Sequence, residues 1–89
     1  MANWGCDLYV IACGELCKVG RSKHCVKRHR EIQRGMPFAD CHLLAVFPGS
    51  GFCESWIHRA LADYPRRGEW FRCDAQAVLC IVASHLSAL

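Results

Sequence analysis

Two β-rich runs of five residues, Leu-Tyr-Val-Ile-Ala at 8–12 and Leu-Cys-Lys-Val-Gly at 16–20, stand on either side of Gly14-Glu15. Strand-like runs this short and this close, joined at a glycine, read as a β-hairpin. The second run passes through a Gly20-Arg21-Ser22 corner directly into a helical pattern. There Cys25, His29, Ile32 and Met36 recur at i, i+4, i+7 and i+11 and mark one face of a helix. Ser22 is the expected N-cap and Gly35-Met36-Pro37 the expected stop.

The remainder continues in the same alternation. Residues 41–47, Cys-His-Leu-Leu-Ala-Val-Phe, read as a third strand buried on both faces, and Pro48-Gly49-Ser50-Gly51 as a loop. Cys53, Trp56, Ile57, Ala60, Leu61 and Tyr64 give the strongest amphipathic pattern of the chain, closed by Pro65. Glu69-Trp70-Phe71 reads as a short extended piece. Asp74 caps a final helix whose inner face carries Val78, Val82, His85 or Leu86, and Leu89. The order β-β-α-β-α-(β)-α predicts a small α/β sandwich, a three-stranded antiparallel sheet flanked by helices, as a single domain over 1–89. Eighty-nine residues suffice for one core, and a hydrophobic fraction of 53% with nine aromatics excludes disorder.

Charge is distributed unevenly. Residues 18–34 hold seven of the eleven lysines and arginines and a single acid, Glu31, while the whole chain carries only +3. Basic density confined to one local element marks a face for phosphate rather than a general polycation. Lys27, Arg30 and Arg34 form the helix stripe opposite the apolar face, and Arg21 and Lys23 precede it, so these five are candidates for nucleic-acid contact. Arg28 falls between the stripes, where an arginine can point along the surface at a bound ligand. His24 and His29 would add only to the phosphate-facing surface.

Eight cysteines in a chain this short approach the density of a disulfide scaffold. The opening residues, MANWGCDLYVIACGE, have no basic leader followed by an apolar stretch, so no signal peptide is expected. No C-x-x-C occurs, and the closest pair, Cys13 and Cys17, is expected to face across the Gly14-Glu15 turn, which disfavours structural zinc. Most of the cysteines therefore read as small buried hydrophobes in a reducing cytoplasm. No apolar run reaches the roughly 18 residues that a bilayer span requires, so no membrane partner is expected.

Phosphodiester hydrolysis requires an activated water, a group to take its proton and positive charge on the transition state. Tyr9 lies mid-strand with Lys18 on the partner strand. Its phenol, with an ordinary pKa near 10, makes a poor base unless cations such as Lys18, Arg21 or Arg28 lower that value. Strand tyrosines mostly just pack. Glu54, in the first turn of the second helix, would on local grounds simply complement the helix dipole. With His58 at i+4 it could also share a divalent ion, since one carboxylate with waters and substrate phosphate is a usual way to hold Mg²⁺. A helix-flank histidine such as His58 is more often structural.

The order of these residues is more informative than any one of them. Tyr9-Val10-Ile11, Lys18-Val19-Gly20-Arg21-Ser22, Arg28, Glu54-x-x-x-His58 and Gly68-Glu69-Trp70-Phe71 together resemble the GIY-YIG nuclease superfamily, in its branch of short phage and bacterial proteins whose second motif reads K-[IV]-G-x-[ST]. Gln33-x-Gly35-x-Pro37 is a further feature of that branch, and the similarity runs from about residue 8 to 71. Asp7-Leu8-Tyr9 stands where the family has Gly-Ile-Tyr, and Lys18-Val19-Gly20 where it has Tyr-Ile-Gly; lysine occurs at that position in some active members. The family's later asparagine has no counterpart.

The resemblance implies a Mg²⁺- or Mn²⁺-dependent endonuclease acting on DNA, with RNA as an open alternative. Tyr9 would be the general base, Lys18 would position water or lower the phenol's pKa, Arg28 would stabilise the scissile phosphate, and Glu54 would hold the one divalent ion with His58 in support. A domain this small is expected to have no separate DNA-reading module, so it would be weakly specific as a monomer or would gain specificity through dimerisation or a partner protein. Two other classes compete: a non-catalytic nucleic-acid-binding or protein-interaction module on the same fold, and a cysteine-based metal or redox module.

Overall fold

The expected hairpin forms, in a computed structural model that describes residues 5–89. The signal-peptide reading rests partly on residues 1–4, which lie outside the described residues. Strand β1 (Asp7–Cys13) pairs antiparallel with β2 (Leu16–Ser22), and Cys13 opposite Leu16 closes a two-residue loop. Gly14 at its first position has φ +60°, the backbone that a type II′ turn demands there. Strand β3 (Cys41–Phe47) pairs with the other side of β1, with a register shift that leaves Leu44 between partners.

The expected three-stranded sheet is corrected to five strands. Two short strands, β4 (Arg66–Arg67) and β5 (Trp70–Arg72), form a second hairpin that adds to β2, giving the order β3-β1-β2-β5-β4, antiparallel throughout. This hairpin also turns on a Gly-Glu pair, with Gly68 at φ +62°. Its first strand is two exposed arginines with no apolar alternation, so periodicity carries no trace of it.

Three helices cover the sheet: α1 (Cys25–Arg34), α2 (Glu54–Ala60) and α3 (Ala75–Ser87). Strand alternation sends successive side chains to opposite faces. Leu8, Val10, Cys17, Val19 and Phe71 pack on one face against Ile57, Leu61, Val78 and Val82 of the α2–α3 side. On the other face Tyr9, Ile11 and Cys41 pack with Cys25, Ile32 and Met36 of the α1 side. Helix α1 packs on β3, β1 and β2, which leaves the β5–β4 part of its face largely uncovered.

Asp74 caps α3 as expected, its carboxylate accepting the Ala77 N–H at 3.3 Å. Other local expectations change. Ser22 ends β2, and α1 starts from His24, whose N–H donates to the Ser22 hydroxyl at 2.9 Å. Strand β3 is buried along one side only, because it is an edge strand. Helix α2 stops at Ala60, short of Pro65, and buries Ile57 while Trp56 stays 44% exposed. Leu89 is 65% exposed, beyond the end of α3. Cys13 and Cys17 do not face each other: they lie on opposite faces of the sheet.

Two polar clamps fix the chain around the sheet. Gln33 ties the end of α1 to β3: its amide donates to the carbonyls of Met36 at 3.1 Å and Ala39 at 2.7 Å and accepts the Cys41 N–H at 2.7 Å. Asp7 accepts the Gly49 N–H at 2.8 Å, holding the loop before α2 at the start of β1.

Candidate active site

Strand β2 has seven residues and its neighbour β5 only three. Pairing with β5 stops at Lys18, so residues 19–22 of β2 have an open edge on the side away from β1. The candidate site occupies that notch. His58 of α2 reaches it from one face: its Nε2 donates to the Val19 carbonyl at 2.6 Å, which fixes the proton on Nε2 because a carbonyl can only accept. The same ring lies 5.4 Å from Phe71.

Tyr9 comes from the other face. It is opposite Gly20 in register, and its ring lies across that glycine so closely that a Cβ there would collide with the phenol. Only 2% of Tyr9 is exposed. Burial is the largest influence on the phenol and pushes its pKa above 10, with the carboxylates of Glu69 and Glu54 adding to the rise. Arg28, reaching in from α1, opposes them and draws the phenol's pKa down. Of the cations expected to lower the phenol's pKa, Arg28 alone does so, and the net direction is upward.

Lys18 is 7% exposed and pairs with Glu69, Nζ to Oε2 at 2.6 Å, beside the Trp70 ring. That contact holds the Glu69 carboxyl below its ordinary pKa; partial burial opposes it, and His58 and Arg28 assist. Glu69 is thus in the site through the β4–β5 hairpin, although it is not among the candidate site residues read from the sequence. The available signal was its Gly68-Glu69 pair, which repeats the Gly14-Glu15 turn.

The fold therefore brings together Tyr9, Lys18, Arg28, Glu54, His58 and Glu69 from four elements and the β4–β5 turn. It separates the rest of the basic segment. Arg21 alternates with Gly20 and leaves the sheet on the opposite face from Lys18. Lys23, Lys27 and Arg30 line a shallow depression with Val26 and Val46, on the flank of α1 away from Arg28. Arg34 is exposed in the last turn of α1. His29 turns inward, its Nε2 donating to the Cys41 carbonyl at 2.7 Å. A second basic depression was not foreseen: Arg66, Arg67 and Arg72 line it with Trp70, next to Lys18.

Glu54 is half-buried, and its carboxylate makes no hydrogen bond or ion pair with another described residue. Among the described residues no three His, Cys, Asp or Glu side chains converge on one metal-sized position. A single available carboxylate fits a hydrated Mg²⁺ or Mn²⁺ shared with substrate phosphate, and does not fit an all-protein cage.

One protein-family model, the T5orf172 domain, matches residues 8–85 and so takes in the whole sheet and all but the end of α3. No curated protein and no solved structure matches the chain significantly. No helix among the described residues is long and apolar enough to cross a membrane.

Proposed function

The chain belongs to the T5orf172 domain family, whose domains occur in phage and bacterial endonuclease-like proteins, and on that premise we propose that it is a metal-dependent endonuclease of the GIY-YIG type that cuts DNA. One observation carries the reading: a phenol, a guanidinium, a lysine–glutamate pair and an available carboxylate meet at the open edge of β2.

Tyr9 is the general base. Its phenolate takes a proton from water as the water oxygen attacks phosphorus. A raised pKa makes that phenolate the stronger base once formed, and Arg28 increases the fraction ionised. Arg28 is close enough to act on the phenol and is itself exposed, so it can move onto the non-bridging phosphate oxygens as charge develops there. Lys18, on the strand next to Tyr9 and oriented by Glu69, keeps its remaining N–H groups for water or phosphate. His58 fixes α2 to β2 and with it the approach of Glu54. A Mg²⁺ or Mn²⁺ ion on Glu54 would neutralise phosphate and leaving-oxygen charge.

DNA lies along the face that α1 leaves uncovered, between Arg28 on one side and Arg67, Arg72 and Trp70 on the other. Arg21, Lys23, Lys27, Arg30 and Arg34 supply further phosphate contacts as the duplex wraps the basic helix. Such contacts give salt-sensitive affinity without sequence preference. Specificity then comes from a second copy or a partner protein.

The near-complete burial of Tyr9 favours one second reading, a nucleic-acid binder that keeps the fold without the chemistry. Incubation with supercoiled plasmid and Mg²⁺ or Mn²⁺ separates the two. Nicking that disappears in Glu54→Ala, in Tyr9→Phe and with EDTA supports the nuclease. An intact plasmid that is retarded on a gel at low salt supports the binder.

A further inference from the structure

Away from the site, at the far end of the first hairpin, Cys13 of β1 and Cys41 of β3 are direct register partners on the α1 face of the sheet. His58 bonds the Val19 carbonyl, so Val19 turns its backbone groups away from β1. Strict alternation along the regular β1–β2 pairing then points the N–H and C=O of Cys13 toward β2, where it closes the hairpin with Leu16. Toward β3, Cys13 and Cys41 are therefore a non-hydrogen-bonded pair. Such pairs bring Cα atoms to about 4.5 Å, the close end of the roughly 4.4–6.8 Å that a disulfide spans.

The Cys13 thiol faces that of Cys41 closely enough to help raise its pKa. Cys41 also lies 3.4 Å from the Met36 thioether and is 5% exposed, whereas Cys13 is only half-buried. No other cysteine in the chain has a cysteine as its register partner.

We propose that Cys13 and Cys41 are a reversible oxidation site that forms a cross-strand disulfide with small-molecule disulfides such as oxidised glutathione. Cys13 is the attacking thiol, because it is the accessible one. Its thiolate displaces one glutathione thiol and leaves a Cys13–glutathione mixed disulfide. Cys41 then gives up its proton and displaces the second glutathione, forming the Cys13–Cys41 bond. Two protein thiols are oxidised and one oxidised glutathione is reduced to two thiols. Burial and the neighbouring Cys13 push the Cys41 thiol up to about 11, so Cys41 stays protonated while Cys13 reacts first. The closed loop contains β2 and α1, the elements that carry Lys18 and Arg28. Oxidation thus ties β1 to β3 and closes the loop that carries the basic helix, without touching the open edge of β2.

The test exposes the full chain to oxidised glutathione, blocks remaining thiols with iodoacetamide and maps the linkages by non-reducing peptide mass spectrometry. The expected result is a Cys13–Cys41 cross-link with the other six cysteines alkylated, and a Tm at least about 5 °C above the reduced protein. Cys13→Ser, at a half-buried position, should lose both the cross-link and the Tm gain. Alkylation of both Cys13 and Cys41 after oxidation, or pairing of either with another cysteine such as the exposed Cys80, would overturn the proposal. Because the readout is linkage and stability, its failure leaves the nuclease reading untouched.

Discussion

The ring of Tyr9 occupies the space where a side chain at Gly20 would stand, so the glycine of the second motif exists to admit the tyrosine of the first. Gly20→Ala is expected to cost about 1–3 kcal/mol, the usual penalty for overpacking, and to displace the phenol. Urea unfolding and plasmid nicking should both report it. An unchanged midpoint would show that the ring does not lie against that glycine.

The Lys18–Glu69 pair gives a pH signature. The folded-state pKa of Glu69 lies below its unfolded value, so its stabilisation is fully present above that value and is lost as pH falls through the folded one. Lys18 is buried, but the Glu69 side chain is 48% exposed, so Glu69→Gln should cost only about 1 kcal/mol at neutral pH. The gap between wild type and variant should narrow as pH falls below the ordinary glutamate value of about 4.5. Melting curves from neutral to acid pH check it; a gap that does not narrow on acidification would contradict the pairing.

Arg28 and Lys27 are adjacent in sequence but should behave differently. Arg28→Ala removes the guanidinium that draws the Tyr9 phenol down, so the alkaline limb of the nicking rate should move to higher pH. Loss of one transition-state donor should also slow nicking about 100-fold or more. Lys27→Ala should leave the limb in place and weaken only DNA binding, lowering the salt slope by about 1. Equal effects from both variants would argue that the basic helix acts as one undivided patch.

Gln33 makes three hydrogen bonds across the α1–β3 connection, and Gln33→Ala should cost about 2 kcal/mol. Gln33→Glu should be worse, because it keeps the acceptor for Cys41 but faces a carboxylate toward two carbonyls. Denaturant midpoints of the two variants rank the effect.

How far local sequence reaches is clear from particular elements. The first hairpin, the face of α1 and the Asp74 cap were legible, because each depends on residues a few positions apart. Helix α2 was overextended: Trp56, Ala60 and Tyr64 continue an apolar spacing whose burial only a tertiary partner can decide, and none is present there. The β4–β5 hairpin was missed because Arg66-Arg67 becomes a strand only by pairing with Trp70 and Phe71, which in turn need the free side of β2.

The candidate site divides along the same line. Tyr9, Lys18, Arg28, Glu54 and His58 were visible as residue types in order along the chain, and the turn at Gly14-Glu15 placed the first two on adjoining strands. Sequence by itself determined that much, because turn chemistry and periodicity act over short distances. Only the tertiary structure decided that Glu69 neutralises Lys18, that Arg28 turns to the phenol while Lys27 and Arg30 turn away, and that the tyrosine's pKa rises. Those outcomes depend on burial and on charges tens of residues apart in the chain, and neither exists until the sheet has closed around them.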